Sequence, residues 1–574
     1  SISFCLVGTL KKRENKKSTK PMKKNTAALV ALLLIAGCGE QEKTNQTIES
    51  GETYGGDSGV ELAKEQVFRR NNGAEPGTLD PHRAEGVPAS NILRDLFEGL
   101  VVELPNGEYI PGVAESWTVS EDSKRYVFKI RKNAKWSNGD AFTAYDYVYS
   151  FKRSVDPRTL SNYSSMLYPI KNARAIVMGE TSPEQLGVYS EDENTLVVEL
   201  EKPTPYFLSL LTHSTTYPVH RESIEKLGQF FTRPGNLVSN GAFKLEEWRV
   251  QSHIKIIKNE QYWDSENTTL EATYYYSLDE PNSALKRYRA NELDFTDTIP
   301  LEQLPLIKDR MASEYKVAPY FGSYYYGFNN TKAPFKNNPK LRTALNMAID
   351  RDILVNIVIG AGQIPAYSFV PPVKTFQPIE PEWSTWSKEK RETEALRLYQ
   401  EAGYSKENPL EVEVLYNTSE NHKKVALAVA AMWKQALGAK TILRNQEWKV
   451  FLDTRRMQNE TQIFRGGWIG DYDDPYTFSQ MLHAENEMNH PGYNSKEYNR
   501  LVDLAATKNA GEDRLNDLRA AERVLTKDLP IIPLYFYVSQ HMIKPWVIGL
   551  EDNVMDHHYS KYVKILKREK QQQK

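Results

Sequence analysis

Adjacent carboxylates at Asp473 and Asp474 could in principle do acid–base work, and His557-His558 is the one adjacent histidine pair in the sequence. Acid–base catalysis by two carboxyls needs environments that push their pKa values apart. Two acids side by side in Gly470-Asp471-Tyr472-Asp473-Asp474-Pro475 read more simply as caps or surface charge. By the same local reading, Asp471 is a turn residue ahead of Pro475. The histidine pair has no cysteine or carboxylate set at metal-ligand spacing beside it, so no metal site is expected. No Gly-Lys dipeptide occurs, which removes the phosphate-cradling P-loop. Gly360-Ala361-Gly362 runs into Gln363-Ile364-Pro365 and is no dinucleotide fingerprint, and neither HExxH nor GxSxG is present. Cys5 and Cys38 are the only cysteines, too few for catalytic or zinc-binding thiols in the body of the chain. These absences argue against an enzyme, and no cofactor is implied.

Cys38 has another chemistry in prospect. Residues 11–24 are basic, and an apolar run follows from Ala27 to Ala36. A membrane-crossing helix needs about twenty apolar residues, roughly twice that run. A basic segment followed by a short apolar one reads as an export signal. It ends in Leu34-Ile35-Ala36-Gly37-Cys38, which resembles the bacterial lipobox. Small residues there let a signal peptidase approach, and the Cys38 thiol accepts a diacylglycerol. The expectation is cleavage before Cys38, a lipid anchor in a membrane, and residence in the periplasm or at the cell surface. Met22 opens a conventional signal by itself, so residues 1–21 read as an upstream extension of the reading frame. Residues 1–37 carry eight Lys/Arg and one Glu, so their removal takes the net charge from −2 to −9. That acidity argues against a nucleic-acid partner. Residues 38–60 are polar, Gly-rich and acidic, and read as a flexible tether.

Past Glu65 the pattern is globular, and strands and helices alternate in the later half. Residues 410–417 (LEVEVLYN) alternate apolar and charged side chains as a half-buried strand does. The following HKKVALAVAAMWKQALG is a strong helix former closed by Gly438. A strand over 441–446, a short helix in EWKVFLDTRR and an apolar segment Ile463–Gly470 come next. Ahead of them, Ala395, Leu398, Tyr399 and Ala402 share one helical face. The first half is richer in strands, at 126–132, at 195–200 and in a hairpin over 242–259. Pattern alone therefore gives an α/β protein with β-rich additions.

Two blocks go beyond pattern. Residues 77–153, opening GTLDPHRAEGVPASNILRDLFEGL, resemble the signature region of the peptide/nickel family of extracytoplasmic solute-binding proteins. LYNTSENHKK (415–424), NQEWKVFLDTRR (445–456) and RGGWIGDYDDPYTF (465–478) are similar to its oligopeptide-binding branch. The likeness runs from Val67 to about Leu566. It implies a two-lobed, hinged type II periplasmic-binding-protein-like fold with an additional third domain. Carried across, one lobe is discontinuous (60–97, 222–320 and 538–574), the appended β-rich domain is 98–221, and the second lobe is 321–537. The implied function is capture of oligopeptides, about two to five residues long, by strand addition. Delivery would be to an ABC permease, by a monomer. Murein-peptide recycling, or a peptide-binding chaperone or signalling receptor, are the alternatives.

The resemblance also implies a site. Asp471 matches the acid that holds the peptide α-amine. Glu85 and Val87, with Gly86 between them, match one extended segment that pairs with the peptide backbone, and Gly467, Trp468 and Ile469 match the other. Arg455, Arg465 and His422 match groups that take the peptide carboxylate. Tyr163, Trp448 and Tyr537 match pocket-wall aromatics, as Trp468 also does. Three departures stand out. Gly322 and Ile469 replace a cysteine pair, Gly327 replaces an acid of a side-chain pocket, and Ile357 and Ile359 replace lysines near the cleft. The second departure suggests less preference for basic side chains, and the third a missing carboxylate anchor for some peptide length.

Overall fold

The computed structural model describes residues 61–373 and 376–568. The expected signal, the Cys38 lipid site and the tether lie outside them. Strand β1 (Val67–Asn71) leads to helix α1 (Val87–Leu96), whose first turn carries Pro88 and whose apolar residues Ala89, Ile92, Leu93 and Leu96 are buried. Proline suits that first turn because its missing N–H would have no helical partner there. Next comes an antiparallel sheet of β2 (Ala114–Val119), β3 (Arg125–Ile130), β4 (Val188–Asp192) and β5 (Thr195–Glu199), in the order β2-β3-β5-β4. Helix α2 (Ala144–Val155) crosses between β3 and β4; the main-chain N–H of Thr143 donates to the Asp146 carboxylate at 2.7 Å, half of a capping box.

The chain then returns to its first strand. The hairpin β6 (Phe243–Arg249) and β7 (His253–Lys258) and strand β8 (Ala272–Tyr276) build a sheet ordered β1-β8-β7-β6, in which β1 runs parallel to β8. One apolar core is shared by three stretches far apart in sequence: Phe68 to Phe97, Tyr217 to Phe295, and Val547 to Ile565.

The later half holds a mixed sheet of six strands. They are β9 (Tyr315–Phe328), β10 (Ile364–Pro365), β11 (Glu411–Asn417), β12 (Lys440–Gln446), β13 (Ile463–Ile469) and β14 (Ile531–Met542), ordered β10-β14-β9-β13-β11-β12. Helices α3 (Lys388–Glu401), α4 (Glu420–Leu437) and α5 (Trp448–Met457) belong to this half, and α4 ends at Gly438 in the left-handed conformation read from sequence. Val425, Val429, Trp433 and Leu437 form its buried stripe.

One detail of this sheet positions the site. β13 pairs with β9 along its whole length, Gly322 facing Ile469 through Phe328 facing Ile463. On its other side β11 pairs only with Ile463 and Phe464. From Arg465 to Ile469, β13 therefore presents a main-chain edge that no strand among the described residues pairs with. The chain just after β5 packs toward the same place, with Tyr206 stacked on Tyr472 at 4.6 Å. Among the described residues no helix is long and apolar enough to cross a membrane.

Candidate ligand-binding cleft

The open edge of β13 faces a cavity of about 410 Å³, within the range of small-molecule and peptide sites. Asp471 lies just past the strand end, held by its own turn. Its main-chain N–H donates to Thr477 Oγ1 at 3.0 Å, and that hydroxyl donates on to the Asp471 carboxylate at 3.3 Å. The nearest basic group is His213, whose Nε2 lies 3.6 Å from the carboxylate. Burial, with the Arg94 guanidinium nearby, pushes His213 down to about 3, so it is neutral and brings no charge. Burial likewise pushes Asp471 up to about 8, opposed only by the Thr477 hydrogen bond. A carboxyl in that condition can take a charge-assisted hydrogen bond from a cation brought into the cleft.

Arg465 stands at the other end of the open edge. Its guanidinium donates to the Tyr537 hydroxyl at 2.7 Å and to Asn417 Oδ1 at 3.4 Å, lies over the Tyr324 ring, and leaves Nε without a partner. No carboxylate sits within ion-pair distance of it among the described residues. Gly467 leaves room for that Tyr537 hydroxyl, which a Cβ would approach to 2.7 Å. His422 shares a hydrogen bond with the Tyr324 hydroxyl at 3.2 Å, and burial holds it well below its usual pKa. It brings a hydrogen bond to a carboxylate, not a charge.

Arg455 does not stand free. It is buried and pairs with Glu85 at 3.2 Å, and exposed-side Arg456, passed over in the sequence reading, grips the other oxygen of the same carboxylate. The expectation of Glu85-Gly86-Val87 as an extended segment also gives way. Gly86 has φ 87° and precedes α1, and Val87 is the first residue of that helix. The left-handed turn is needed to swing the chain into α1, and Trp448 packs so close over it that a Cβ on Gly86 would lie 2.8 Å from the ring. Trp448 stacks on Phe451, Tyr163 packs against His213 at 4.8 Å and near Trp468, and all three of these aromatic walls line the cavity with Tyr537.

The departures acquire reasons. Gly322 and Ile469 face each other across β9 and β13, and the Ile469 side chain fills the space over the glycine, so close that a Cβ there would meet it at 2.5 Å. At Gly327 the Phe464 ring occupies the side-chain position, 2.3 Å from where a Cβ would be. Gly327 is thus buried under an aromatic ring, so an acid at this position would meet Phe464 rather than open space. Gly327→Glu is expected to cost at least about 2 kcal/mol of folding stability, from overpacking and a buried carboxylate together. Urea unfolding would read this, and a midpoint equal to wild type would contradict the packing account. Ile357 is 77% exposed whereas Ile359 is buried at the cavity wall, so only the second can touch a guest.

The Asp473-Asp474 pair fits its reading as surface charge and cap: Asp473 is exposed, while Asp474 accepts the Tyr476 N–H at 2.9 Å and is clamped by both terminal nitrogens of Arg514 at 2.9 and 2.7 Å. Sequence reasoning missed two features. His213 and Arg94 lie at the Asp471 end of the cavity with no local pattern to announce them. His557-His558 does have a carboxylate partner, because Asp556 precedes it directly and His541 folds onto the same group.

Comparison with known proteins agrees with this geometry. A family model of the bacterial extracellular solute-binding proteins, family 5 (middle region), matches residues 108–490. The periplasmic oligopeptide-binding protein OppA of Salmonella typhimurium is 43% identical over 516 residues, covering 89% of this chain and 94% of that protein. The periplasmic murein peptide-binding protein MppA of Escherichia coli is 39% identical over 514 residues, covering 89% and 95%. The crystal structure of Haemophilus influenzae OppA in complex with RPPGFSPFR superposes with a TM-score of 0.86 at 38% identity, covering 88% of this chain and 100% of that one. An unliganded open form of MppA, at 38% identity and covering 89% and 99%, gives a TM-score of 0.62. This chain belongs to family 5 of the bacterial extracellular solute-binding proteins. Its fold is the two-lobed type II arrangement of that family, and it is a binding protein rather than an enzyme. The two scores place its conformation nearer the peptide complex than the open form.

Proposed function

We propose that this protein is an extracytoplasmic receptor that captures short peptides with little sequence preference and delivers them to an ABC importer. The observation that carries the reading is Asp471, a buried carboxylate with no cation, at one end of an unpaired strand edge whose other end holds Arg465. Five residues lie between them, six steps of chain spanning roughly 20 Å when extended, the reach of a peptide of about five residues. Such a guest would run antiparallel to β13, amine at Asp471 and carboxylate toward Arg465. Main-chain pairing supplies affinity that ignores side chains. OppA proteins named for oligopeptide binding, at 43% identity, support the same reading.

The lobes that close on the guest are residues 60–97, 222–320 and 538–574 on one side and 321–537 on the other, with 98–221 appended; the core drawn from three separated stretches supports the first grouping. Anchoring through a lipid on Cys38 rests on the Leu34–Cys38 run, and mass spectrometry of the mature N-terminus tests it. A second reading, a receptor for murein peptides, is favoured by the 39% identity to MppA.

Calorimetry with free and N-acetylated tripeptides to pentapeptides tests the assignment. Free-amine peptides of unrelated sequence are expected to bind within about tenfold of one another, and acetylation to weaken each at least tenfold. Equal affinity for acetylated and free peptides would remove the Asp471 role. A murein tripeptide bound far above all others would select the second reading.

A further inference from the structure

A further group of side chains, distinct from Asp471 and Arg465, reaches the wall of the cavity. His541 is the next-to-last residue of β14, and Asp556 and His558 come from the segment that follows it. His541 and His558 are each only 5% exposed. One ring nitrogen of each and a carboxylate oxygen of Asp556 all lie within 4.8 Å of one another.

The hydrogen bonds decide what this group can hold. His541 Nδ1 is 2.9 Å from the Thr296 carbonyl, which can only accept, so the Nδ1 proton points there. In the neutral ring Nε2 then carries a lone pair, and it faces both oxygens of Asp556 at 2.8 and 3.0 Å. His558 Nε2 approaches the same Asp556 oxygen at 2.9 Å. Two electron-rich groups held face to face need positive charge between them, supplied by a second proton or by a metal ion. An imidazole whose other nitrogen donates to a backbone carbonyl is in the orientation and tautomer that metal-binding histidines adopt. Phe295 packs on His541 at 4.5 Å and fixes the ring. Asp297, one residue past Thr296, adds negative charge beside His541, and Arg70, stacked over Phe295, opposes it.

We propose that His541 Nε2, His558 Nε2 and the Asp556 carboxylate form a binding site for a divalent transition metal of the zinc class. Two imidazoles and one carboxylate leave an open coordination position in the four-coordinate geometry zinc prefers. His541 and Asp556 line the cavity, so that position faces the guest and takes a donor from it, a carboxylate or an imidazole. The site belongs to these side chains and stands whether or not the cleft takes peptides.

Calorimetric titration of tag-free, chelator-stripped protein with zinc chloride alone tests the proposal. One equivalent is expected to bind, with affinity reduced at least tenfold in His558→Ala and in Asp556→Asn while the thermal midpoints stay near wild type. Absorption of the cobalt-loaded wild-type protein, in the visible bands of tetrahedral cobalt, gives a readout that needs no variant. No saturable zinc uptake by the wild type would overturn the site and leave an imidazolium–carboxylate pair. Uptake indifferent to both substitutions, or a cobalt spectrum without tetrahedral bands, would overturn it equally.

Discussion

Glu85→Ala is expected to weaken peptide capture by more than about a hundredfold. Glu85 lies ahead of α1 on one wall of the cleft, and its partners Arg455 and Arg456 lie on α5 on the other. Arg455 is buried, its Nε has no partner, and Glu85 is the carboxylate that neutralises it. Removing one member of a buried pair typically costs about 3–5 kcal/mol, because the remaining charge is stranded. That cost falls only on the conformation in which the walls meet, so it appears in binding rather than in folding. Calorimetry with a tripeptide should show the loss, while thermal unfolding of the peptide-free variant stays close to wild type. Replacing both partners, Glu85→Ala with Arg455→Met, is expected to recover part of the affinity, since neither charge is then left alone. Unchanged peptide affinity in Glu85→Ala would show that the pair does not latch the cleft.

Asp471→Asn is expected to cost about 2–5 kcal/mol of peptide affinity, at least about thirtyfold, by leaving the guest ammonium unneutralised. It should also change how the empty protein responds to pH. In the closed cleft, burial pushes the Asp471 carboxyl up to about 8 from an ordinary 3.8. In an opened cleft, where water reaches it, the ordinary value applies. A raised pKa in the closed state means that protonation favours closing. The penalty for empty closure is absent below the open-state pKa, grows as pH rises through the acid range, and is complete above about 8. A distance measurement between labels on the two lobes should therefore show more closed, peptide-free protein at pH 5 than at pH 8. The asparagine variant should show no such trend. A wild type whose empty closure increases toward high pH would contradict the assignment.

What the sequence made legible was set by regular spacing. The helix Glu420–Leu437 could be read because HKKVALAVAAMWKQAL is a run of strong helix formers and Gly438 stops it. Strand β11 could be read from alternation in 410–417. Glu85–Val87 could not, because three residues carry no period, although Pro88 in the first turn was a sign that a helix starts there. The occupant of the space beside Gly327 was equally hidden: Phe464 lies more than a hundred residues away and arrives only through the β9–β13 register. Asp471 and Arg465 were found by likeness to a family, but their want of an opposite charge among the described residues is a property of the folded cleft. Arg455 has the same residue type as Arg465, and only the approach of Glu85 separates their roles.

The stretch from Arg465 to Ile469 is, in physical terms, a sheet margin with vacant donors and acceptors, the feature that elsewhere invites proteins to stick to copies of themselves. Here the surrounding walls decide who can reach it. A folded neighbour is too bulky to enter, while a short strand with free ends can slide in and satisfy the vacancy. Enclosure thus converts an aggregation hazard into a filter by size and termini, and broad taste in side chains follows from what the margin itself is made of.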